Sequence, residues 1–357
     1  MAILRRIYFL RINPLLVALS FCSWGLYRRV YWRMNHELWL DERAQIINMH
    51  LPLWDFLKVI QKGEFCAFLS GDYYLTYPFF KLFGPNKWGL AIPHIISTLI
   101  GFYLIYILCK RYLKSIWGYA IVFALVCFHD VLRFHAFEIR TYAVLPTLAL
   151  ASFYFIDRIV MEPEKITTKQ KWGMRVFFIV TMLWHLYGIL IVGLPLLYFL
   201  GTILREKKFV NVLKGAIRFF LPLVLICAPL WLFSVFGEHL SMPPFYTFEY
   251  FPDPLVNPVG FLKSVVGNLV GDRRLYFLLL GPALAFFLPQ ENRYKQMGFL
   301  LILVILPIAL LIVADLRSSY WFVQRQFVWA IPYFILFVAW CWESSLEYLL
   351  CGNKPRQ

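Results

Sequence analysis

Two adjacent carboxylates lie in the stretch HELWLDERAQ, which covers residues 36–45. Asp41 and Glu42 directly follow the apolar run 38–40, which would hold them at a membrane surface. An ionised carboxylate at that depth is unfavourable unless it is solvated, paired with a cation or used in a reaction. Partial burial also makes a carboxylate a stronger base, which suits proton abstraction from a substrate. The pair is therefore a candidate general base, with two solvated loop acids as the alternative.

Three further stretches combine charged and aromatic residues beside apolar runs. They are GDYYLTYPFFKLFG at 71–84, which contains Asp72, FHDVLRFHAFEIRTYAVLP at 128–146, which contains Arg140, and RQFVWAIPYF at 325–334. A lone arginine beside a membrane often anchors a helix by extending to the lipid headgroups. The density of charge around Arg140 favours a functional role over anchoring.

The elements that must position these residues are transmembrane helices. The chain has 357 residues, of which 61% are hydrophobic and 15% are charged, and its mean hydropathy is +0.65. Soluble domains are about half apolar, so lipid must be the main solvent of this chain. A spanning helix needs about 20 apolar residues. Candidate spans lie near 8–28, 88–108, 115–130, 141–160, 219–236, 274–289, 298–315 and 327–347.

One apolar run, 174–203, fits either one long helix or two short ones. The positive-inside rule decides between them, because cytoplasmic loops are enriched in lysine and arginine. With Arg5 and Arg6 in the cytoplasm, a single helix would place the basic segment 205–218 outside. Two short helices that separate near 185–188 return this segment to the cytoplasm. The sequence therefore predicts about ten transmembrane helices, with both termini in the cytoplasm.

This topology gathers the polar chemistry on the outer face of a single transmembrane domain, 1–357, with no separate soluble domain. The outer segments are a long first loop at about 29–87, which would carry short interfacial helices, the charged stretch before Arg140, and a third loop at about 237–273. The net charge of +15 is explained by the cytoplasmic loops, so nucleic acid is not an expected partner. The seven cysteines form no CxxC pair, which argues against a disulfide framework or a zinc site.

Four of these motifs, taken together, resemble the GT-C superfamily of polytopic glycosyltransferases, in particular the protein O-mannosyltransferases and the lipid A aminoarabinose transferase. LWLDE is similar to the aspartate–glutamate motif in the first outer loop of these enzymes. YYLTY followed by KLFG is similar to their Pro-Pro-Leu-Tyr-Tyr and Leu-Phe-Gly segments, with tyrosines in place of the prolines. EIRTY is similar to Glu-x-Arg-x-Tyr, and RQF is similar to an Arg-Tyr pair before the last helix. The resemblance implies an all-α, GT-C type helix bundle.

The resemblance also implies an activity, namely that of an inverting glycosyltransferase that uses a polyprenyl-phosphate-linked sugar on the extracytoplasmic face of the membrane. The acceptor would be a hydroxyl group of a glycan, a lipid or a protein. Asp41 would act as the general base, and Glu42 would orient it or help to coordinate a metal. Asp72 would be a second acid that either positions the acceptor or acts with Asp41. Arg140 would bind the donor phosphate. The remaining candidates are Arg325, Arg133 and Lys81 at the phosphate, and Glu138, Tyr142 and Tyr77 in supporting roles.

Two other classes of function stay open from the sequence. One is a transporter or flippase for a polyprenyl lipid or a small solute, and the other is a non-catalytic membrane scaffold of the same fold. Transporters tend to show internal repeats and charges near the middle of the membrane. This chain shows no matching halves, and its charges lie at helix ends, which favours the enzyme. A divalent metal is an alternative to arginine for stabilising the phosphate, and the sequence identifies no ligand set for one. The expected location is the inner membrane of a bacterium, with the active site facing the periplasm or exterior.

Overall fold

The computed structural model describes residues 12–61, 71–237, 256–287, 293–315 and 328–351 of the chain. Every regular element within these residues is helical, in agreement with the predicted all-α class. The helices are α1 (Pro14–Asn35), α2 (Leu40–Met49), α3 (Leu53–Gln61), α4 (Gly71–Phe83), α5 (Lys87–Tyr112), α6 (Ile116–Phe128), α7 (Asp130–His135), α8 (Leu145–Met161), α9 (Thr168–Trp184), α10 (Gly188–Thr202), α11 (Phe209–Gly237), α12 (Pro258–Val270), α13 (Leu280–Phe287), α14 (Arg293–Leu300), α15 (Leu306–Asp315) and α16 (Ile331–Cys351). A π-helical turn at Leu301–Ile305 joins α14 to α15.

In the part of the chain that the structure describes, five helical segments are long and apolar enough to cross a membrane, which is consistent with a helical membrane protein. Four shorter apolar helices also occur among the described residues. Within the described residues each of the ten predicted spans overlaps a helical segment, and length and composition mark five of these segments as candidates for crossing. The five segments are Lys87–Tyr112, Thr141–Met161, Phe209–Phe233, Tyr294–Ala314 and Val328–Leu350.

The apolar run 174–203 is divided into two helices, as predicted from the charge pattern. The first ends at Trp184 and the second begins at Gly188. His185 lies at the break, where its Nδ1 accepts a hydrogen bond from the backbone N–H of Tyr187 at 3.4 Å. Gly188 permits the tight turn, because a Cβ atom at this position would collide with the carbonyl oxygen of Thr181.

The first helix is longer than the sequence predicts, which corrects the start of the first loop. The predicted span ended near residue 28, whereas α1 continues to Asn35. Arg29 and Arg33 are buried at 3% and 5% exposure in this extension. The Arg29 guanidinium donates to the backbone carbonyls of Gly25 and Val126 at 3.0 and 2.9 Å. Hydrogen bonding to these carbonyls offsets the cost of burying its charge, so the helix does not need to end there.

The core of the bundle is apolar and includes α16. Trp329 and Tyr333 are fully buried, and the Tyr333 hydroxyl donates to the carbonyl of Ala149 at 2.8 Å. At the end of the bundle that carries the α5–α6 turn, Glu343 of α16 accepts hydrogen bonds from the backbone N–H groups of Lys114 and Ser115. This contact fixes the turn to the last helix.

Short helices were predicted in the long first loop, and the described residues of this loop form three, α2 to α4. They share a small apolar cluster that includes Met49, Phe56, Tyr73 and Phe80, and the cluster also takes in Ile139 of the segment after α7. Large apolar side chains on the outer surface of the loop are exposed, among them Leu40 at 82% and Trp54 at 74%. Exposed apolar side chains of this size suit a loop that rests in the membrane interface.

Candidate active site at the first-loop end of the bundle

Asp41 and Arg140 meet at the first-loop end of the bundle, although 99 positions in the sequence separate them. The Asp41 Oδ2 atom lies 3.7 Å from the Arg140 Nη2 atom, and the two side chains are 33% and 16% exposed. Asp41 stands in the first turn of α2, and Arg140 lies between α7 and α8. The structure therefore brings the predicted base and the predicted phosphate ligand to one partly exposed position.

The carboxylate of Glu42 explains why these two segments meet. Its Oε1 accepts hydrogen bonds from the Arg33 guanidinium at 2.8 Å and from the backbone N–H of Ile139 at 2.7 Å. Its Oε2 accepts from the backbone N–H of Trp39 at 2.9 Å and so caps the start of α2. Glu42 is fully buried. Asp41 is the neighbour of Glu42 in the sequence, and Arg140 is the neighbour of Ile139. The hydrogen bond between Glu42 and Ile139 therefore places Asp41 beside Arg140.

Arg140 has hydrogen-bonding capacity that its protein surroundings leave unused. Its Nε atom is buried and has no hydrogen-bond partner among the described residues. The contact with Asp41 at 3.7 Å is an ion pair, longer than the usual hydrogen bond. Burial lowers the pKa of Arg140, but the neighbouring Tyr142 and Asp41 outweigh this, and the pKa is raised above the ordinary value. The guanidinium is therefore always charged, and its buried donor can bind an anion that enters the site.

Tyr73 lies close to the same pair and was not identified from the sequence as a site residue. Burial raises the pKa of its hydroxyl, an effect that the charge of Arg140 and a hydrogen bond from Asn48 oppose. The hydroxyl is therefore neutral at physiological pH. The only sequence signal for Tyr73 was its position in place of a proline of the similar motif.

Asp72 is placed differently from the prediction. Its side chain is fully buried, and its two oxygens are engaged by His94 Nε2 at 2.6 Å and by Gln45 Nε2 at 2.7 Å. A carboxylate with both oxygens occupied and no exposed surface joins α2, α4 and α5 rather than facing an acceptor. The prediction that Asp72 is a second acid at the reacting group therefore finds no support in its placement. Sequence reasoning missed His94, since a single histidine in an apolar helix carries no signal of its partner.

Arg133 and Glu138 lie on a wall that α1 and the segment 133–138 form. The Arg133 guanidinium contacts Asp130 at 2.9 Å and lies 4.9 Å from the centre of the Trp32 ring. Glu138 accepts from His135 Nδ1 at 2.5 Å. Arg133 and Glu138 line a small polar pocket together with Arg33, whose Nε and Nη2 atoms are buried without a hydrogen-bond partner among the described residues. This wall is positively charged, and Arg33 is a cation that the motifs did not identify.

Tyr142 lies deeper in the bundle than Arg140. It is 4% exposed and lines an apolar cavity of about 50 Å³ together with His135, Arg29 and residues of α5 and α8. The centres of the Tyr142 and His185 rings are 5.8 Å apart. The supporting role of Tyr142 stays a prediction.

Two predicted residues lie away from the pair, and one lies outside the described residues. The Lys81 ammonium donates to the carbonyls of Met49 and Leu51 at 3.2 and 3.3 Å, at the opposite end of α2 from Asp41. The Tyr77 ring stacks on Phe56 with 4.4 Å between centres. Neither is positioned to touch a phosphate at Arg140, because α2 separates them from Asp41 by about 12 Å. Arg325 falls among residues 316–327, which the structure does not describe.

The described part of the chain contains no group of three or more His, Cys, Asp and Glu side chains arranged to hold a metal ion. Comparisons with family models, with curated proteins and with solved structures find no match to this chain. The chemistry of the site must therefore be argued from its own residues. In this arrangement the partly exposed carboxylate can accept a proton from one group of a substrate, and the charged guanidinium can bind an anionic group of the same substrate.

Proposed function

We propose that this protein is an inverting glycosyltransferase of GT-C type, which moves a sugar from a polyprenyl-phosphate donor to a hydroxyl acceptor. The observation that carries the proposal is the approach of Asp41 to Arg140, 3.7 Å apart at the end of the bundle that holds the first loop. One residue supplies a base and the other supplies a charged, incompletely satisfied anion ligand. In the transfer of a sugar from a phosphate, the hydroxyl that loses its proton and the phosphate that leaves lie within a few ångströms of each other.

In this reaction, the acceptor hydroxyl loses its proton to an Asp41 carboxylate oxygen as its oxygen forms a bond to the anomeric carbon. The bond between that carbon and the phosphate oxygen breaks, and the electron pair leaves with the polyprenyl phosphate. Attack opposite the leaving group inverts the anomeric centre. Arg140 stabilises the negative charge that develops on the departing phosphate, as preorganised cations do in enzymes. Glu42 contacts no reacting atom and acts by holding Asp41 and Arg140 in position.

The surroundings of the site agree with a lipid-linked donor. The first loop exposes large apolar side chains, and the pair stands just before the helical segment Thr141–Met161, which is long enough to span a membrane. The headgroup of a lipid-linked donor at the membrane surface would lie level with the start of this segment, and its lipid tail would lie among the helices. In our proposal this surface is the periplasmic or exterior face of a bacterial inner membrane, and the acceptor is a glycan, a lipid or a protein.

The proposal is tested by replacing Asp41 with asparagine, which keeps its shape and removes its basicity. Membranes that contain the protein would be supplied in turn with polyprenyl-phosphate-linked mannose, glucose, galactose and aminoarabinose, and release of polyprenyl phosphate would be measured. We expect Asp41→Asn to lower release by 100-fold or more, in line with the usual contribution of a general base. Glu37→Gln is the matched control, because Glu37 is an exposed acid four positions away. Full release by Asp41→Asn would exclude Asp41 as the base.

A further inference from the structure

A large cleft opens at the end of the bundle opposite to Asp41. It lies between α9 and α11, beside the end of α8, and has a volume of about 640 Å³. Its walls include Ile159 and Met161 of α8, whereas Arg140 precedes the start of this helix. Since α8 has 17 residues and rises about 1.5 Å per residue, the cleft is about 25 Å from the candidate active site. The two features therefore lie at opposite ends of one candidate membrane span.

Four cations line the cleft, and only one acid, Glu164, lies among the described lining residues. The cations come from two helices and the loop between α10 and α11. The Arg175 guanidinium is held between two aromatic rings, 5.0 Å from the centre of Trp172 and 5.2 Å from the centre of Phe219. Its Nε atom is buried and has no hydrogen-bond partner among the described residues. The lining cations are Lys171, Arg175, Lys208 and Arg218.

The helices that form the cleft carry exposed apolar side chains further along their length. On α9 these include Val176 at 59% and Val180 at 45% exposure. On α11 they include Ile217 at 50%, Leu221 at 51% and Leu225 at 66%. A positive cleft at the end of two helices is thus continuous with an apolar surface along the same helices. That combination matches one molecule that is anionic at one end and apolar at the other.

We propose that this cleft binds an anionic phospholipid of the bilayer, with its phosphodiester headgroup among the four cations and its acyl chains along α9 and α11. Basic pockets between helices on the positively charged side of a membrane are suited to such headgroups. The charge complementarity and the adjacent apolar surface favour a lipid over a soluble phosphate or an acidic protein, which would leave that surface unused. This inference depends on the membrane location of the helices and not on the proposed transferase activity.

The test measures lipid binding to the full chain in detergent by native mass spectrometry. The protein would be titrated with dioleoylphosphatidylglycerol and, separately, with dioleoylphosphatidylcholine. We expect one phosphatidylglycerol to bind at concentrations where phosphatidylcholine does not. We expect the double variant Arg175→Gln/Arg218→Gln to weaken this binding about 30-fold, since each cation near an anionic headgroup contributes a factor of about five.

The matched control is Lys169→Gln/Lys214→Gln, which removes two charges from the same two helices outside the cleft lining. We expect its affinity for phosphatidylglycerol to stay within twofold of the natural chain. If the Arg175 variant unfolds, Lys171→Gln/Arg218→Gln takes its place. Equal binding of the two lipids, equal losses in both double variants, or displacement of the lipid by inorganic phosphate at millimolar concentration would each overturn the proposal.

Discussion

At the scale of single residues, neighbouring acids in the first loop have opposite environments. Asp41 is one-third exposed and stands beside Arg140, whereas Glu42 is fully buried and joins Arg33 to the backbone of Ile139. A helix turns by about 100° per residue, so adjacent side chains at the start of α2 point in different directions. One acid therefore faces the site, and the other connects the segments that build it.

Replacing Glu42 with glutamine tests its structural role. The change leaves Arg33 buried without its counter-charge, and breaking a buried ion pair in this way costs about 3 kcal/mol. We expect the unfolding temperature in detergent to fall markedly, and sugar transfer by the remaining folded protein to fall as well. Transfer falls because Asp41 and Arg140 are no longer held together.

Glu37→Gln provides the comparison for this experiment, because Glu37 pairs with Arg43 at the surface with 90% of its side chain exposed. Exposed ion pairs contribute little to stability, so its unfolding temperature should not change. An unchanged unfolding temperature in Glu42→Gln would show that the buried carboxylate does not hold the loop.

The sequence was sufficient to single out Asp41 and Arg140 but not to assign every acid. The position of Asp41 after an apolar run and the charge density around Arg140 are local features, and a local pattern can be recognised directly. The burial of Asp72 depends on His94 and Gln45, which are 22 and 27 positions away and belong to other helices. Such pairings are decided by tertiary packing, and no spacing rule for one helix predicts them.

At the scale of elements, the α9–α10 hairpin depends on the close approach that Gly188 permits. A methyl group at Gly188 would collide with the Thr181 carbonyl, whereas one at Gly193 of the same helix meets no atom within 4 Å. We expect Gly188→Ala to lower the free energy of unfolding by about 1–3 kcal/mol, because an overpacked contact must be relieved by backbone movement. Thermal unfolding in detergent measures the effect.

Gly193→Ala is the control for this prediction, and we expect no loss of stability from it. Equal unfolding temperatures for the two variants would mean that the turn between Trp184 and Gly188 is not tightly packed.

The same hairpin shows how the sequence predicts elements. The break was inferred from the basic segment 205–218, because one continuous helix would have placed that charge on the wrong side of the membrane. The extension of α1 to Asn35 was not predicted, and arginines inside a helix are not expected in an apolar bundle unless they have partners. Here Arg29 and Arg33 find partners inside the bundle, and this compensation is visible only in three dimensions.

At the scale of the whole molecule, the two ends of the bundle differ in charge and in proposed role. The first-loop end carries the Asp41–Arg140 pair, and the end with the basic cleft carries exposed lysines of α9 and of the loop between α10 and α11. From the positive-inside rule we propose an orientation with the cleft in the cytoplasm.

This orientation predicts the outcome of labelling single introduced cysteines with a membrane-impermeant thiol reagent. Glu37→Cys, in the first loop, should react in intact cells, and Lys169→Cys, at the start of α9, should react only after the membrane is permeabilised. The unaltered chain serves as the blank for its own cysteines. Reaction of both variants from the same side would show that the two ends do not lie on opposite faces.

The central claim is that Asp41 and Arg140 hold one lipid-linked sugar phosphate between them. Its most direct test is mass analysis of the lipids that co-purify with the natural chain and with the variant Arg140→Gln. Arg43→Gln is the matched control, because Arg43 is an exposed arginine two positions from Asp41. We expect the natural chain and Arg43→Gln to retain polyprenyl phosphate or its glycoside, and Arg140→Gln to lose at least 90% of it, since a charged hydrogen bond to phosphate contributes about 1.5–3 kcal/mol. Equal retention by Arg140→Gln, or no such lipid on the natural chain, would contradict the account.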